Sequence, residues 1–273
     1  SKKKKLPEVA ACMWGDDGTE CDIYSALPGL QFFAEHGHAE QGDPLLVRAN
    51  FRGTCQGDFD DWVRASDIDV VPGYKGGPAP KFEFGMETAP NIGKWLLWQD
   101  PALSFFDPQL GGRSPRSHFE RLARELDAAA AKDPHAARLD FPAQIARVLA
   151  LKCDLRTHLA SAYRAGDKKR IAEDAKGDLK ALRVEVDKLW KLHRTRWLSL
   201  YRPFGVEVID LRYGGLRARL ETLHDRIADW VAGRVETLPE LGAELRKIWE
   251  VRLDNLPEMM HLYHRLKSPS MMK

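Results

Sequence analysis

LKALRVEVDKLWKLHRTRWLSL, residues 179–200, decides the fold class of this 273-residue chain. Leu179, Leu182, Val186, Leu189, Trp190, His193, Trp197 and Leu200 recur at steps of three and four, which gathers them on one face of an α-helix. Arg and Lys fill much of the other face, and Pro203 with Gly205 closes the helix. Leu216, Leu220, Leu223, Ile227, Trp230 and Val231 repeat the pattern and stop at Gly233. Upstream, Ile145, Val148, Leu155, Leu159 and Ala162 make an earlier stripe that ends at Gly166. Leu241, Leu245 and Ile248 make a weaker one downstream, and no proline interrupts residues 143–202. Helices that each bury one side and are joined by short loops predict a bundle, so the chain reads as mainly α. On such stripes His193 is expected as a hydrogen-bonded core residue, and the tryptophans as core or interface.

The first part of the chain has a different grammar. Residues 1–112 hold 14 of the 21 glycines, 9 of the 16 prolines and 14 of the 25 aromatic residues. Dense turn-formers mean short elements joined by shaped loops, where function concentrates. The expected organisation is a loop-rich part over 1–112, a helical domain over 113–266 and a disordered tail over 267–273.

Charge narrows the function classes. Lys plus Arg is 42 and Asp plus Glu is 40, and Lys2 to Lys5 account for four of the cations. Without that run the body carries 38 against 40, which is too balanced for a nucleic-acid binder that must displace counterions from phosphate. No stretch approaches the roughly 20 apolar residues of a membrane-crossing helix, so no membrane partner is expected. The lysine run is broken by Leu6-Pro7-Glu8 before an apolar segment can form, unlike a secretion signal, and reads as a solvated chain end. Cys12, Cys21, Cys55 and Cys153 show no CxxC spacing. They read as reduced thiols of a cytoplasmic protein, with neither metal nor cofactor implied. In Glu35-His36-Gly37-His38 the histidines read as a cationic helix C-terminal cap and a loop residue more than as metal ligands, and Arg212, Arg217 and Arg219 as solvated or salt-bridged helix faces more than as an anion patch.

One segment has the pattern of a ligand loop. Val9 to Met13 is a short apolar run, as in a strand buried on both faces. It breaks into Trp14-Gly15-Asp16-Asp17-Gly18, and an apolar helical register resumes through Ile23, Leu27, Leu30 and Phe33, with Gly37 just beyond. A loop between strand and helix lies at the carboxyl end of the strand, where α/β folds bind ligands. An indole face beside two carboxylates suits a sugar, whose C–H face covers the ring while its hydroxyls donate to the acids. The same residues serve equally as an Asp/Gly turn that caps a helix.

MWGDDGTECDIYSALPGLQFFAEHG, residues 13–37, resembles the last strand and loop of the catalytic barrel in family-20 glycoside hydrolases, the exo-β-N-acetylhexosaminidases. The likeness is to the bacterial branch with a helical C-terminal domain. It continues through NIGKWLLWQDPALSFFD (91–107) and HRTRWLSLYRPFGVEVIDLRYGGLRARL (193–220). The resemblance implies the terminal βα unit of a (β/α)8 barrel followed by a C-terminal helical bundle. It also implies substrate-assisted retaining hydrolysis of terminal N-acetylglucosamine or N-acetylgalactosamine, an exception to the usual two-carboxylate schemes. There the substrate's acetamido oxygen attacks the anomeric carbon, a glutamic acid protonates the leaving oxygen, and the preceding aspartate orients the amide. Trp14 falls where the family packs the terminal sugar, and Asp16 where an acid, commonly the longer glutamate, holds its hydroxyls. Asp17 shares that role or braces the loop.

No Asp-Glu dipeptide occurs in the chain, so the family's catalytic pair has no counterpart here. A (β/α)8 barrel takes about 250 residues, and a single βα unit cannot close one. The resemblance therefore implies a C-terminal portion with no catalytic residue of its own, inactive alone. Its implied partners are an N-acetylhexosamine-terminated glycan and the remainder of the barrel or a barrel-bearing chain. The alternative is a non-catalytic helical interaction module. In that case Gly214-Gly215 and the aromatic helix faces would bury a second copy, as a homodimer, or another subunit.

Overall fold

The computed structural model describes residues 8–13, 23–39, 42–74, 92–104, 106–245, 266 and 268. The helices are α1 (Leu27–His38), α2 (Pro44–Cys55), α3 (Phe59–Arg64), α4 (Ile92–Trp98) and α5 (Arg116–Ala130). They continue with α6 (Ala137–Lys152), α7 (Leu155–Arg164), α8 (Lys168–Asp174), α9 (Lys180–Leu200), α10 (Val206–Val231) and α11 (Pro239–Gly242).

α6 is the centre of the assembly because it buries apolar residues on two sides, leaving Asp140 and Arg147 on a narrow outer edge. Leu139, Ala143 and Ala146 face Phe51, Trp62 and the Leu122, Leu126 and Ala129 stripe of α5. Its opposite side, with Phe141, Ile145, Val148 and Leu149, joins the larger core formed with α4, α7, α9 and α10. That core runs from Val71 and Trp95–Leu110 to Leu241, so residues on both sides of the Gly111-Gly112 turn pack together. Both glycines have positive φ, 58° and 77°, the conformation that side chains disfavour.

The two long stripes form the helices expected of them. Leu182, Val186, Leu189 and His193 of α9 are buried, as are Leu216, Leu220, Leu223, Ile227 and Trp230 of α10. Gly166 and Gly233 follow α7 and α10 at φ +68° and +74°, and Gly205 begins α10 at φ +96°. A Cβ on Gly205 would lie 2.8 Å from the Trp197 ring, so the turn between α9 and α10 is closed by glycine and indole together.

Several details differ from the sequence reading. The stripe from Ile145 to Ala162 is broken at Cys153-Asp154, where φ of Asp154 is −129° and its carboxylate turns to Ser114 (2.6 Å) and Arg116 (2.9 Å). Arg116 also donates to Asp178 at 2.5 Å, which ties the start of α5 to the segment before α9. That segment is a π turn, Ala175–Leu179, and it makes α8 and α9 one continuous rod. The weak downstream stripe is not one helix: α11 stops at Gly242, and Ile248 lies outside the described residues. So does the expected tail over 267–273, apart from Ser268.

The strand expected over Val9–Met13 is absent. Residues 8–13 are exposed and take neither helix nor strand. A strand needs a neighbour for its alternate N–H and C=O groups, and none of the described residues forms one. The helix expected after the loop is present, as a 3-10 turn over Ile23–Ala26 followed by α1, but it runs on through Gly37 and His38, which were expected beyond its end.

Candidate functional site

Trp14, Asp16 and Asp17 lie outside the described residues. The chain immediately after them is anchored. The amide of Ile23 donates to Tyr201 Oη at 2.8 Å, which ties it to the turn between α9 and α10. Trp197 props that turn: its ring lies 5.0 Å from the Tyr201 ring, and its Nε1 donates to the Arg202 carbonyl at 3.0 Å.

The other two sequence blocks meet directly. α4 ends in Trp98, which is 1% exposed and lies edge-on to Tyr213 of α10 at 4.9 Å, with the Arg212 guanidinium 4.4 Å above its ring. Tyr213 Oη is 3.2 Å from Nδ1 of His193, and the imidazole packs on Phe141 at 4.7 Å. His193 is thus the buried, hydrogen-bonded core residue its stripe predicts.

A charged seam follows at the end of α4. Lys152 of α6 is 3% exposed, and its Nζ donates to the carbonyls of Leu96 (3.0 Å), Leu97 (2.5 Å) and Gln99 (2.6 Å). Those acceptors match the three N–H groups of an ammonium, placed at the negative end of the α4 dipole. Burial nevertheless pushes the amine down to about 7, against the pull of Asp100 and Asp107.

Asp100 caps the next turn, accepting from Ala102 N (2.9 Å) and Leu103 N (2.8 Å), while Arg219 of α10 donates to its other oxygen at 2.6 Å. Gln99 accepts from Phe106 N at 2.8 Å and donates to Asp107 at 2.7 Å. Arg156 of α7 holds the Ala102 carbonyl at 3.0 Å and that of Ala243 at 2.9 Å. Donors and acceptors consume one another, which suits fixing the segment from Gln99 to Asp107 more than turning over a substrate. Arg219 and Arg217 are salt-bridged, to Asp100 and Asp187, as their helix faces suggested, whereas Arg212 is buried over the Trp98 ring and not on a solvated face.

The seam links stability to pH. Burial alone would raise Asp100, but Arg219 and the Leu103 and Ala102 amides outweigh it and hold the carboxyl below its usual value. Burial likewise acts on Asp154, and Arg116 with Ser114 outweighs it. A carboxyl whose folded value is depressed adds stability above its unfolded value and loses it as pH falls through the folded one. Stability should therefore drop as pH falls from about 5 towards about 3. In urea unfolding across that range, Asp100→Asn and Asp154→Asn should each flatten the slope; slopes equal to the parent's would contradict this.

Sequence reasoning missed Lys152, Asp100, Gln99 and Asp107. Lys152 did leave a signal: it stands four residues after Val148 on an apolar stripe, where an unpaired lysine would be costly. Metal-ligating groups are sparse among the described residues. Glu221, His224 and Asp225 come within 4.8 Å of one another, but the carboxylates are exposed and Glu221 pairs with Arg183. Cys12, Cys55 and Cys153 carry free thiols, and burial pushes the Cys153 thiol well above its usual value.

No curated protein matches the chain. The family model of the Glycoside Hydrolase 20C C-terminal domain matches residues 60–260, a span that begins in α3 and contains the Trp98–Tyr213 contact and the Lys152 seam. The chain belongs to the Glycoside Hydrolase 20C C-terminal domain family.

Proposed function

We propose that the chain is the C-terminal part of an exo-β-N-acetylhexosaminidase. It would act on glycans ending in N-acetylglucosamine or N-acetylgalactosamine by substrate-assisted retaining catalysis. The family match over residues 60–260 carries this reading. In it, Trp14 packs the terminal sugar and Asp16, with Asp17, holds its hydroxyls. The acid and its aspartate neighbour come from barrel residues outside this chain, because no Asp-Glu dipeptide occurs in it.

The residues ahead of the family match support a barrel as partner. Val9, Met13, Ile23, Phe32, Phe33, Leu45 and Leu46 are all exposed, and Pro28 is the one buried residue of α1. So much uncovered apolar surface in a short stretch is what a face packed against the barrel would carry. The reading involves neither nucleic acid nor membrane, and no helix among the described residues is long and apolar enough to cross one. Free thiols support a cytoplasmic setting.

The chain alone should not hydrolyse a chromogenic N-acetylglucosaminide, whereas a polypeptide that also carries the preceding barrel should. In the active form Trp14→Ala should lower kcat/KM about a hundredfold, since stacking and orientation of the terminal sugar are both lost. Turnover by the chain alone, or an unchanged kcat/KM in Trp14→Ala, would sink the assignment.

A second reading rests on α10. Leu211 is exposed and nothing stands within 4 Å of a Cβ built on Gly214, so this face admits a close helix neighbour, whereas a Cβ on Gly215 would already meet the Leu266 side chain at 3.7 Å. As a non-catalytic interaction module the chain would dimerise through it. Light scattering would then give a dimer that Leu211→Glu converts to monomer, with Trp14→Ala without effect.

A further inference from the structure

We propose that the pocket between Trp62, residues 65–69 and the first turns of α6 binds a small organic carboxylate, with Arg138 as the fork that receives it. Arg138 is held rigidly: its guanidinium lies 4.0 Å from the Tyr24 ring centroid and 4.9 Å from that of Trp62. Trp62 is fixed in turn, being 5% exposed and donating through Nε1 to Asp133 at 2.6 Å. Aromatic faces above a guanidinium leave its in-plane N–H edges for an acceptor, and that planar edge matches a carboxylate.

Among the described residues nothing supplies that acceptor. Arg116, Arg147, Arg183, Arg217 and Arg219 each hold a carboxylate, whereas the Arg138 side chain makes ring contacts only. The pocket beside it has a cavity of about 160 Å³ walled by Ile68, Leu139, Phe141, Pro142 and Ile145, with Ser25 and Ser66 exposed at the rim.

Size and charge define the ligand. An apolar cavity of about 150 Å³ accommodates a benzene ring, so this one takes a single ring or a short branched chain. Asp69, also on the wall, already accepts from the Gly93 amide at 2.9 Å. Its negative charge disfavours a phosphate dianion and leaves a monoanion with an apolar body as the best match. The inference stands on residues apart from the sugar loop and does not depend on the hydrolase reading.

Calorimetric titration of the full 273-residue chain tests it with benzoate as probe and benzamide as its uncharged counterpart. Benzoate should bind saturably with one site, and benzamide at least about tenfold more weakly. Arg138→Met should lose benzoate affinity by a similar factor. Ser66→Trp, which closes the rim without touching Arg138, should abolish binding and decides the matter where Arg138→Met does not fold. No saturable benzoate binding, equal affinity for benzamide, or undiminished affinity in folded Arg138→Met or Ser66→Trp overturns the proposal.

Discussion

Replacing Lys152 with methionine should cost about 3–5 kcal/mol of stability. The side chains have similar length, so packing changes little and the loss is polar. The carbonyls of Leu96, Leu97 and Gln99 would stay buried without the amine that caps them at the end of α4. The segment from Gln99 to Asp107 would loosen with them, because Gln99 sets its far end through Phe106 and Asp107. Urea unfolding at pH 6 measures the cost; a change below about 1 kcal/mol would show that the amine is dispensable.

The same pair of proteins also reports proton linkage. The folded amine is pushed down to about 7, so from there to its ordinary value of 10.5 the unfolded chain binds the extra proton. Stability then rises with pH over that window in the parent, and Lys152→Met lacks this contribution.

Trp98→Ala should be similarly severe, at about 3–5 kcal/mol, because a fully buried indole leaves a cavity that the helices around it cannot close. Its ring is also the surface under Arg212 and the edge partner of Tyr213, so the variant strips a buried cation of its cover. For a chain of this size the melting temperature should fall by about 5–9 °C. Retention of the parent melting temperature would mean that α4 is not fastened to α10 through this contact.

The long amphipathic helices were legible because their apolar positions repeat over many turns, and glycine marked their ends at 166 and 233. The polar run from Lys168 to Asp178 was not, since only Ile171 and Ala175 in it are buried and the rod continues through packing at its ends. The break at Asp154 was hidden because it depends on Arg116, 38 residues away. Val9–Met13 reads locally as a strand, but whether it becomes one depends on neighbours that local pattern does not contain. The Lys152 seam was only half visible: an isolated lysine on an apolar stripe signals a partner, while its carbonyl acceptors more than 50 residues away carry no side-chain signature.

The π turn over Ala175–Leu179 bears on how this domain tolerates length variation. A π turn accommodates one residue more than regular α geometry. Deleting Gly177 would let a regular α-helix run from Lys168 to Leu200, and because the wide turn already absorbs the surplus residue, the turns upstream would keep their rotational phase. Ile171, fully buried against the core, would stay on the inner face, whereas a deletion within the regular turns of α9 would rotate it by about 100° towards water. A one-residue change at this point can therefore be absorbed, because the wide turn stores the surplus residue without moving either half of the rod off the interior.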